Sequence, residues 1–449
     1  MLIKSRREFL RTGLRSVAGL GAIGAMSKFG EMNALAAGAN YRALVCIFLA
    51  GGNDGHNTVI PIQTAAQNIG LYQTARQSLA LPQGSLLAVT TKSNDTYGLH
   101  PRLVEIQSLY QQNKAAIVAN LGMLVQPTTK TAYNSGGPVP TNLFSHSDQT
   151  TAWQTSIPNG ISGSGWGGRM ADSLAAQNSS AQFPPIVSTG GCGLFCTGVQ
   201  TLPTTVPPGG AIGLANLGNN PSRMQGVQQL LSFDNGLQLV QAANGVVSRG
   251  ANYANVLNGL LAGAPALNTP FPANNPLAAQ LKMVARIIGV QAQLGLNRQI
   301  FFCQLGGFDT HSSQLQAQDA LLQQLSQAVG AFYTATQELG ADQQVTTFTS
   351  SEFGRTLMPN SGGGTDHAWG SHHFVIGGGV QGGDLYGQFP VLALGSQNDA
   401  TGRGALIPTT SVDQYGATLA NWFGVGAGNL ATVFPNLAHF NNTNLGFLG

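Results

Sequence analysis

The stretch YRALVCIFLAGGNDGHN, residues 41–57, joins an apolar run to a glycine-rich polar turn. The run has no charge after Arg42 and is rich in β-branched and aromatic side chains, which is typical of a parallel strand buried on both faces. The turn places Asp54 and His56 at the end of that strand. Ligands of open α/β sheets bind beyond the carboxyl ends of the strands. The stretch therefore predicts both a fold class and the edge at which a site is expected.

Five further apolar runs have the same character and predict parallel strands at residues 115–122, 183–190, 298–307, 344–351 and 373–379. Stretches of helical period lie between them. One covers residues 313–340 and ends at Gly340, and another begins with the N-cap signal Asn275-Pro276. Strands that alternate with helices indicate an α/β fold with a doubly wound, mostly parallel sheet.

Residues 192–275 differ from this pattern, because a proline- and glycine-rich loop leads into two helical stretches. We interpret this region as a helical cap inserted into one large α/β domain of residues 37–449. Cys192 and Cys196 open the region, and their spacing allows a small disulfide-closed loop in an oxidising compartment.

The first 36 residues have the order of a twin-arginine signal peptide. Arg6 and Arg7 precede a short, weakly apolar run, and small residues follow as far as Ala36. The apolar run is too short and too rich in glycine to span a bilayer. The expected location is therefore periplasmic or secreted, with the twin-arginine translocation machinery as a partner and without an integral membrane segment.

The charge balance argues against nucleic acid as a partner. Residues 1–36 hold 6 of the 20 basic and 2 of the 17 acidic residues, so the remainder has 14 and 15, a net charge of −1. No basic stripe is left to neutralise a phosphate backbone. No dinucleotide-binding fingerprint follows any of the strands either.

Polar side chains form four clusters near the ends of the predicted strands. Asp54 and His56 follow the first, and Asp309 and His311 follow the run at 298–307. Glu352 and Arg355 follow the run at 344–351. The next loop carries the remaining candidates, Asp366, His367, His372 and His373. Strands distant in sequence are thus expected to bring carboxylates and imidazoles to one edge of the sheet.

Mixed oxygen and nitrogen ligands hold divalent cations such as zinc, manganese or calcium. The predicted ligands are Asp54, Asp309, His311, Glu352, Asp366, His367 and His372. One or two such ions clamp a phosphoryl or sulfuryl group and activate a nucleophile. Because side chains alternate along a strand, His372 and His373 cannot both face the site.

The catalytic candidates outside this set are Ser145, His146 and Arg355. Ser145 and His146 stand before a predicted helix, where the positive end of the helix dipole favours an alkoxide and an anionic substrate. Helix capping is the alternative role for this serine, and Ser147 and Thr150 are the other nucleophile candidates. Arg355 or Arg169 is expected to pair with an anionic substrate, and His56 to help bind it.

Seven motifs together resemble one bacterial exported family, catalogued as domain of unknown function 1501. They are the arginine-pair leader, LAGGNDGHNTVIP, GLHPRL, FSHSDQ, GGFDTH, SEFGRT and GGTDHAWGSHHFVIGGGVQGG. That family looks like a branch of the alkaline-phosphatase-like superfamily, which includes sulfatases, phosphatases and cofactor-independent phosphoglycerate mutases. The resemblance implies a metal site with one or two ions at the edge of the sheet.

The resemblance assigns roles only to matching positions. Asp54 stands where the superfamily has its first metal aspartate. Asp309 and His311 resemble an Asp-x-x-x-His pair with a shorter spacing. Glu352 stands where relatives have the aspartate of Thr-Ser-Asp-His-Gly, with Phe353 in the place of that histidine. His367 or His372 would supply the late histidine. The sulfatase signature Cys/Ser-x-Pro-x-Arg is absent around Ser145.

These features predict a metal-dependent hydrolase that acts on phosphate or sulfate esters, with an anionic ester or glycan as substrate. The alternative is a non-catalytic periplasmic binding or structural protein on the same fold that keeps at most one structural cation. The shorter spacing at Asp309 and the missing histidine after Glu352 favour the alternative. The number of carboxylates and histidines at the strand ends favours the hydrolase.

Overall fold

The computed structural model describes residues 40–191, 193–209, 213, 221–233 and 236–449. The predicted signal peptide and Cys192 lie outside the described residues. Twin-arginine export and the pairing of Cys192 with Cys196 therefore stay predictions.

Twelve strands are present in the described part of the chain: β1 (Arg42–Ala50), β2 (Val59–Gln63), β3 (Leu87–Thr90), β4 (Thr96–Leu99), β5 (Ala115–Gly122), β6 (Ile186–Ser188), β7 (Thr204–Thr205), β8 (Arg298–Gly306), β9 (Val345–Ser350), β10 (Ser371–Gly377), β11 (Leu385–Tyr386) and β12 (Thr410–Ser411). The helices are α1 (Gly55–Thr58), α2 (Ile69–Arg76), α3 (Val104–Gln111), α4 (Lys130–Asn134), α5 (His146–Thr155), α6 (Trp166–Ser173), α7 (Pro221–Ser232), α8 (Gln238–Gly263), α9 (Pro276–Ile288), α10 (Gln314–Glu338), α11 (Val412–Phe423) and α12 (Leu430–Val433).

The main sheet has nine strands, in the order β11-β5-β10-β9-β1-β8-β6-β7, with β12 paired to β5. β1 lies at the centre and pairs in parallel with β8 and β9. The predicted α/β class with a mainly parallel sheet is confirmed. One strand departs from the prediction, because β10 runs antiparallel to both β9 and β5. The apolar run at 373–379 carries no information on strand direction, since burial on both faces gives either direction the same composition.

Helices cover both faces of the sheet, and the alternation along β1 shows how. Val45 and Ile47 pack in one apolar cluster with residues of α3, α9 and α10. Leu44, Cys46 and Phe48 pack in a second cluster with residues of α5, α6 and α11. Successive side chains of a strand point to opposite faces, so a strand that is apolar throughout requires a core on each side. This is the doubly wound arrangement.

The helix signals in the sequence act as expected. Asn275 Oδ1 accepts a hydrogen bond from the backbone N–H of Ala278 at 3.0 Å and starts α9. α10 ends at Glu338, and Gly340 has a φ of 63°, the left-handed conformation that terminates many helices. Both helices pack on the same face of the sheet, so these signals fix the layer that supports β8 and β1.

Two regions lie outside the main sheet. β2, β4 and β3 form a separate antiparallel sheet that the sequence patterns did not indicate. Residues 192–275 contain α7 and α8, and Leu257 and Leu261 of α8 pack in the cluster that contains Val45. The interpretation of this region as a cap stays a prediction. Among the described residues, no helix has the length and apolar character needed to cross a bilayer.

Candidate metal centre

The loops that follow β1, β8 and β9 meet at one edge of the sheet, because these three strands are neighbours and parallel. β10 begins at the same edge, since it runs antiparallel to β9. The connection from residue 351 to residue 370 therefore leaves the sheet and returns to it on the side where the other loops lie. The fold thus gathers Asp309, Glu352 and His367, as the sequence predicts.

One carboxylate oxygen is the centre of the cluster. Asp309 Oδ1 lies 3.1 Å from His311 Nε2, 3.3 Å from His367 Nε2 and 3.5 Å from His146 Nε2. The two imidazole atoms His311 Nε2 and His367 Nε2 are 3.0 Å apart. Four potential ligand atoms from three separate connections of the fold therefore converge on a small volume.

The outer nitrogen of each imidazole has a partner that fixes the tautomer. His367 Nδ1 lies 2.8 Å from the backbone carbonyl of Phe144, and a carbonyl only accepts, so Nδ1 carries the proton. His146 Nδ1 lies 2.9 Å from Glu352 Oε1, and His311 Nδ1 lies 3.4 Å from Asp366 Oδ1. In the neutral ring, each Nε2 then presents a lone pair to the cluster. The Nε2 atom of His146 is buried and has no hydrogen-bond partner.

Two of the predicted ligands, Glu352 and Asp366, contact the outer nitrogens of the histidines and do not face the centre of the cluster. Glu352 is buried, and its Oε1 accepts from the backbone N–H of Gly51 at 2.8 Å as well as from His146. Asp366 accepts from Asn360 Nδ2 at 3.1 Å and pairs with Arg403 at 2.8 Å. Both carboxylates orient histidines of the cluster. Hydrogen bonding of this kind is the usual support of a metal-bound imidazole.

Arg355 joins the loops beneath the cluster. Its guanidinium donates to the carbonyls of Gly51 at 2.9 Å, Gly52 at 3.1 Å and Thr365 at 2.9 Å. It also donates to the carboxylate of Asp309. The side chain is fully buried, and its N–H groups are occupied by these acceptors. Arg355 therefore positions the loops and Asp309, and it does not face solvent as a substrate-binding arginine would.

Glycines allow the loops to approach this closely. A Cβ on Gly51, which has a φ of 118°, would lie 2.3 Å from the backbone nitrogen of Asp309. A Cβ on Gly364 would lie 2.3 Å from the carbonyl carbon of His311. Side chains at these two positions would separate Asp309 and His311 from their neighbours. Glycine at positions 51 and 364 is thus required for the cluster to form.

The electrostatics keep Asp309 and His367 in the forms that bind a cation. Burial acts to raise the pKa of Asp309, but the hydrogen bond and charge of Arg355, with smaller effects of His146 and His311, hold that pKa below its ordinary value. Burial lowers the pKa of His367, and the charges of Arg355 and His146 lower it further. An ionised Asp309 and a neutral His367 are the forms that bind a cation.

Two predicted ligands lie elsewhere. Asp54 is buried, caps α1 through the backbone N–H of His56, and forms an ion pair with Arg76. His372 stacks on Phe389 with ring centroids 4.4 Å apart, and its Nδ1 accepts the backbone N–H of Asn120 at 3.1 Å. Both side chains are committed to the interior, so we do not retain either as a ligand.

Two predicted substrate contacts also lie inside the protein. His56 is 1% exposed. Arg169 donates to the carbonyls of Thr155, Ser164 and Val433, which makes it a support of α5, α6 and α12. Neither side chain is available to a substrate in solution. The strand-end position of His56 and the charge of Arg169 suggested a role that burial excludes.

Ser145 lies beside His146 at the start of α5, as expected. Its hydroxyl donates to Asp148 Oδ2 at 2.5 Å, and its Oγ is 3.2 Å from Ser147 Oγ. It makes no side-chain hydrogen bond to the helix backbone, so it is not a capping residue in the strict sense. The role of nucleophile stays a prediction.

His146 is the residue whose place the sequence reasoning assigned least well, because it was expected near the nucleophile and not among the metal ligands. The signal available was its position in FSHSDQ, at the start of a helix. Side chains in the first turn of a helix point toward its N-terminus and contact the element that lies there. Here that element is the edge of the sheet.

The donor set fits a divalent cation. Tetrahedral geometry with bonds of about 2.0 Å separates the ligand atoms by about 3.3 Å, and the separations from Asp309 Oδ1 are 3.1, 3.3 and 3.5 Å. His146, Asp309 and His367 each offer an atom within 4.8 Å of the others. Lone pairs at such distances repel one another, and a cation bound among them would relieve that repulsion together with the Arg355 guanidinium, which already donates to Asp309.

No curated protein matches the chain. Among solved structures, a 2-O GAG sulfatase shares 10% identity over 88% of this chain and 74% of its own, with a TM-score of 0.30. The lipoteichoic acid synthase of Listeria monocytogenes shares 8% over 89% and 79%, with a TM-score of 0.33. The phosphonate monoester hydrolase of Silicibacter pomeroyi shares 8% over 85% and 73%, also with a TM-score of 0.33.

One family model matches part of the chain, and the matched part contains most of the cluster. Asp309, His311 and His367 lie within it, together with their supports Glu352 and Asp366, whereas His146 lies outside. Residues 262–413 match the family described as "Protein of unknown function (DUF1501)", the family that the sequence motifs resemble.

Proposed function

We propose that this protein is an exported, metal-dependent hydrolase of phosphate or sulfate esters. It uses one divalent cation held by His146, Asp309, His311 and His367. The observation that carries the proposal is the convergence of three imidazole Nε2 atoms on Asp309 Oδ1, each imidazole having its Nδ1 held from behind.

The donor set favours zinc. Three nitrogens and one carboxylate oxygen suit zinc, whereas calcium takes oxygen ligands. Manganese is the second choice, because it also accepts imidazole. Asp54 and His372, which a second ion would recruit, are held elsewhere. One ion per chain is therefore expected.

The position of the cluster supports a catalytic role over a structural one. The side chain of Asp309 is 48% exposed and that of His311 45% exposed. Structural zinc sites are closed by their protein ligands, whereas catalytic sites keep a position open to water and substrate. A cation at this edge would be in contact with solvent.

The local charge supports an anionic substrate. Asp309, Glu352 and Asp366 contribute −3, and Arg355 and Arg403 contribute +2, for a sum of −1. A divalent cation changes this sum to +1. The loaded site would thus attract a phosphate or sulfate ester, which the empty site would repel.

The residues of the chain have separate tasks in this mechanism. A bound divalent cation supplies Lewis-acid chemistry at an ester oxygen. Glu352, Asp366 and the carbonyl of Phe144 hold the three imidazole rings, and Arg355 holds Asp309. Ser145 is the proposed nucleophile, because it precedes His146 in the chain and its hydroxyl already donates its proton to Asp148. Asp148 would accept that proton as the serine oxygen attacks the phosphorus or sulfur atom, and would pass it to the alcohol that leaves as the ester bond breaks. Water would then hydrolyse the serine ester, which releases phosphate or sulfate and restores the hydroxyl of Ser145.

A second candidate function follows from Arg355. Its guanidinium donates to Asp309 and lies 3.5 Å from His311 Nε2, so a protein cation already faces the cluster. In a non-catalytic protein, Arg355 alone would neutralise Asp309 and no metal would bind. Location is part of the proposal too: residues 1–36 support a periplasmic or secreted protein exported in the folded state.

Metal content per chain is the first test, measured by mass spectrometry on protein purified without chelators. We expect one equivalent of zinc or manganese in the wild type and loss of it in Asp309→Ala and His367→Ala. Asp319→Ala is the matched control, because Asp319 is an exposed carboxylate whose ion-pair partner is Arg102 and not a residue of the cluster. The control should retain the metal.

Activity is measured on the same preparations with p-nitrophenyl phosphate and p-nitrophenyl sulfate. Hydrolysis that depends on metal and is lost in Asp309→Ala would support the proposal. A wild type that binds no metal after dialysis against zinc and manganese would overturn it in favour of the Arg355-neutralised protein. Bound metal without hydrolysis of any ester would leave a metal-binding protein and would also refute the hydrolase.

A further inference from the structure

We propose that Arg403 binds the anionic group of the substrate, an inference that rests on the proposed function. Neither Arg355 nor Arg169 is free for this task, because backbone carbonyls occupy their guanidinium groups. Arg403 lies beside the cluster, and its side chain is 45% exposed. It is the arginine near the candidate metal centre with a face turned to solvent in the described part of the chain.

Its connection to the cluster is short. Arg403 Nη1 lies 2.8 Å from Asp366 Oδ2, and Asp366 Oδ1 lies 3.4 Å from His311 Nδ1. His311 Nε2 in turn faces Asp309 Oδ1 at 3.1 Å. Asp366 therefore holds a metal ligand with one oxygen and the guanidinium with the other.

The loop that carries Arg403 is held rigidly. Asp399 Oδ1 accepts from the backbone N–H groups of Thr401, Gly402 and Gly404 at 2.9 to 3.1 Å, and Asp399 is fully buried. Lys130 Nζ on α4 donates to the carbonyls of Gly395 and Ser396 at 2.8 and 3.0 Å. A guanidinium presented by such a loop loses little freedom when it binds an anion.

The chemistry of the guanidinium selects the ligand class. It donates through a planar fork that matches two oxygens of a phosphate or sulfate group. Its pair with Asp366 is partly exposed, and pairs of this kind contribute little to stability. The guanidinium can therefore keep its contact with Asp366 through Nη1 and offer its other N–H groups to an oxyanion.

The test measures binding of inorganic phosphate and of sulfate by isothermal titration calorimetry on zinc-loaded protein. The variants are Arg403→Gln and Arg403→Lys, with zinc content determined for each. Arg102→Gln is the matched control, because Arg102 forms a similar exposed pair with Asp319, 47% and 37% exposed. We expect Arg403→Gln to weaken oxyanion binding about tenfold or more, Arg403→Lys to weaken it less, and Arg102→Gln to have no effect.

The other outcomes separate this inference from the proposed function. Equal oxyanion affinity in wild type and Arg403→Gln would overturn the role of Arg403 and leave the hydrolase standing. Loss of zinc in Arg403→Gln would also overturn it, because Arg403 would then act by positioning His311 through Asp366. A zinc-loaded wild type that binds neither anion would overturn both.

Discussion

His146 Nδ1 lies 2.9 Å from Glu352 Oε1, and this contact joins the first residue of α5 to the loop after β9. The same oxygen accepts the backbone N–H of Gly51 after β1. One buried carboxylate thus fixes both the ring of a cluster histidine on a helix and the backbone of a neighbouring strand end. The aim of His146 Nε2 toward Asp309 depends on this arrangement.

Glu352→Gln should weaken metal binding without removing it. The amide oxygen can still accept from His146 Nδ1, but the charge that makes the imidazole a stronger donor is lost. Substitution of such partners lowers metal affinity by about 10- to 100-fold. Competition with a zinc-binding dye measures the affinity. The control is Glu105→Gln. The carboxylate of Glu105 accepts a hydrogen bond from Ser326 Oγ at 2.7 Å and does not contact the cluster. Equal affinities in the two variants would contradict the role of Glu352.

Ser145→Ala should abolish ester hydrolysis and leave the metal content unchanged, since the serine is proposed to react and not to bind the cation. The measurement is turnover of p-nitrophenyl phosphate by protein of known zinc content. Ser147→Ala is the control, because Ser147 lies 3.2 Å from Ser145 and shares Asp148 as a partner. Full activity in Ser145→Ala would show that Ser145 is not the nucleophile.

Arg169→Gln should lower the free energy of unfolding by about 3 kcal/mol, since several buried carbonyls lose their donor. Metal content and oxyanion affinity should stay at the wild-type values, because the guanidinium contacts Thr155, Ser164 and Val433 and not the cluster. Urea denaturation and calorimetry measure the two effects. A selective loss of oxyanion affinity would restore Arg169 as a substrate contact.

The stability of the metal-free protein should fall as the pH falls below about 6.5. Burial lowers the pKa of His56 to about 4 and that of His373 to about 3. Burial also lowers the pKa of His372, with contributions from His56 and His373. Histidines of the unfolded chain titrate near 6.5. Below that pH the unfolded chain binds more protons, so each buried histidine costs about 2 kcal/mol at pH 5.

Asp413 acts in the opposite direction. Burial raises its pKa to about 6, against the hydrogen bonds of Ser156 and Ser411. It binds a proton in the folded chain first and so offsets part of the loss between pH 6 and pH 4. Urea denaturation at pH 7.5 and pH 5.0 measures the sum. His373→Gln should shrink the difference by about 2 kcal/mol, and His439→Gln, at an exposed position, should not change it. An equal response of the two variants would contradict this account.

The sequence predicted the sheet well, because strands buried on both faces leave a compositional record. All six predicted runs coincide with strands of the main sheet. Strand direction and the separate β2-β4-β3 sheet were not predicted. β10 has the composition of a parallel strand, and the small sheet is formed of short strands whose pairing depends on contacts distant in sequence.

The sequence predicted at which edge of the sheet the cluster lies. It did not predict which residues face the centre of the cluster and which support them. Asp309, His311 and His367 meet as expected, but Glu352 and Asp366 stand behind them. A residue at a strand end is near the site by topology, and whether its oxygen reaches the centre depends on the space already taken by imidazole rings. Asp54 also follows a strand but does not reach the cluster, since its carboxylate forms an ion pair with Arg76 of α2. Arg403 gave no signal because its loop lies far along the chain.

The antiparallel pairing of β9 and β10 makes the tip of the loop between them tolerant of changes in length. Both of its ends are fixed by adjacent strands, for instance through the pair Phe348 and Val375. Doubling the length of such a connection adds only about 0.6 kcal/mol of closure entropy. Residues can therefore be added at the exposed tip, residues 361–363, at little cost, whereas Gly364 and Thr365 must stay because they lie against His311 and Arg355.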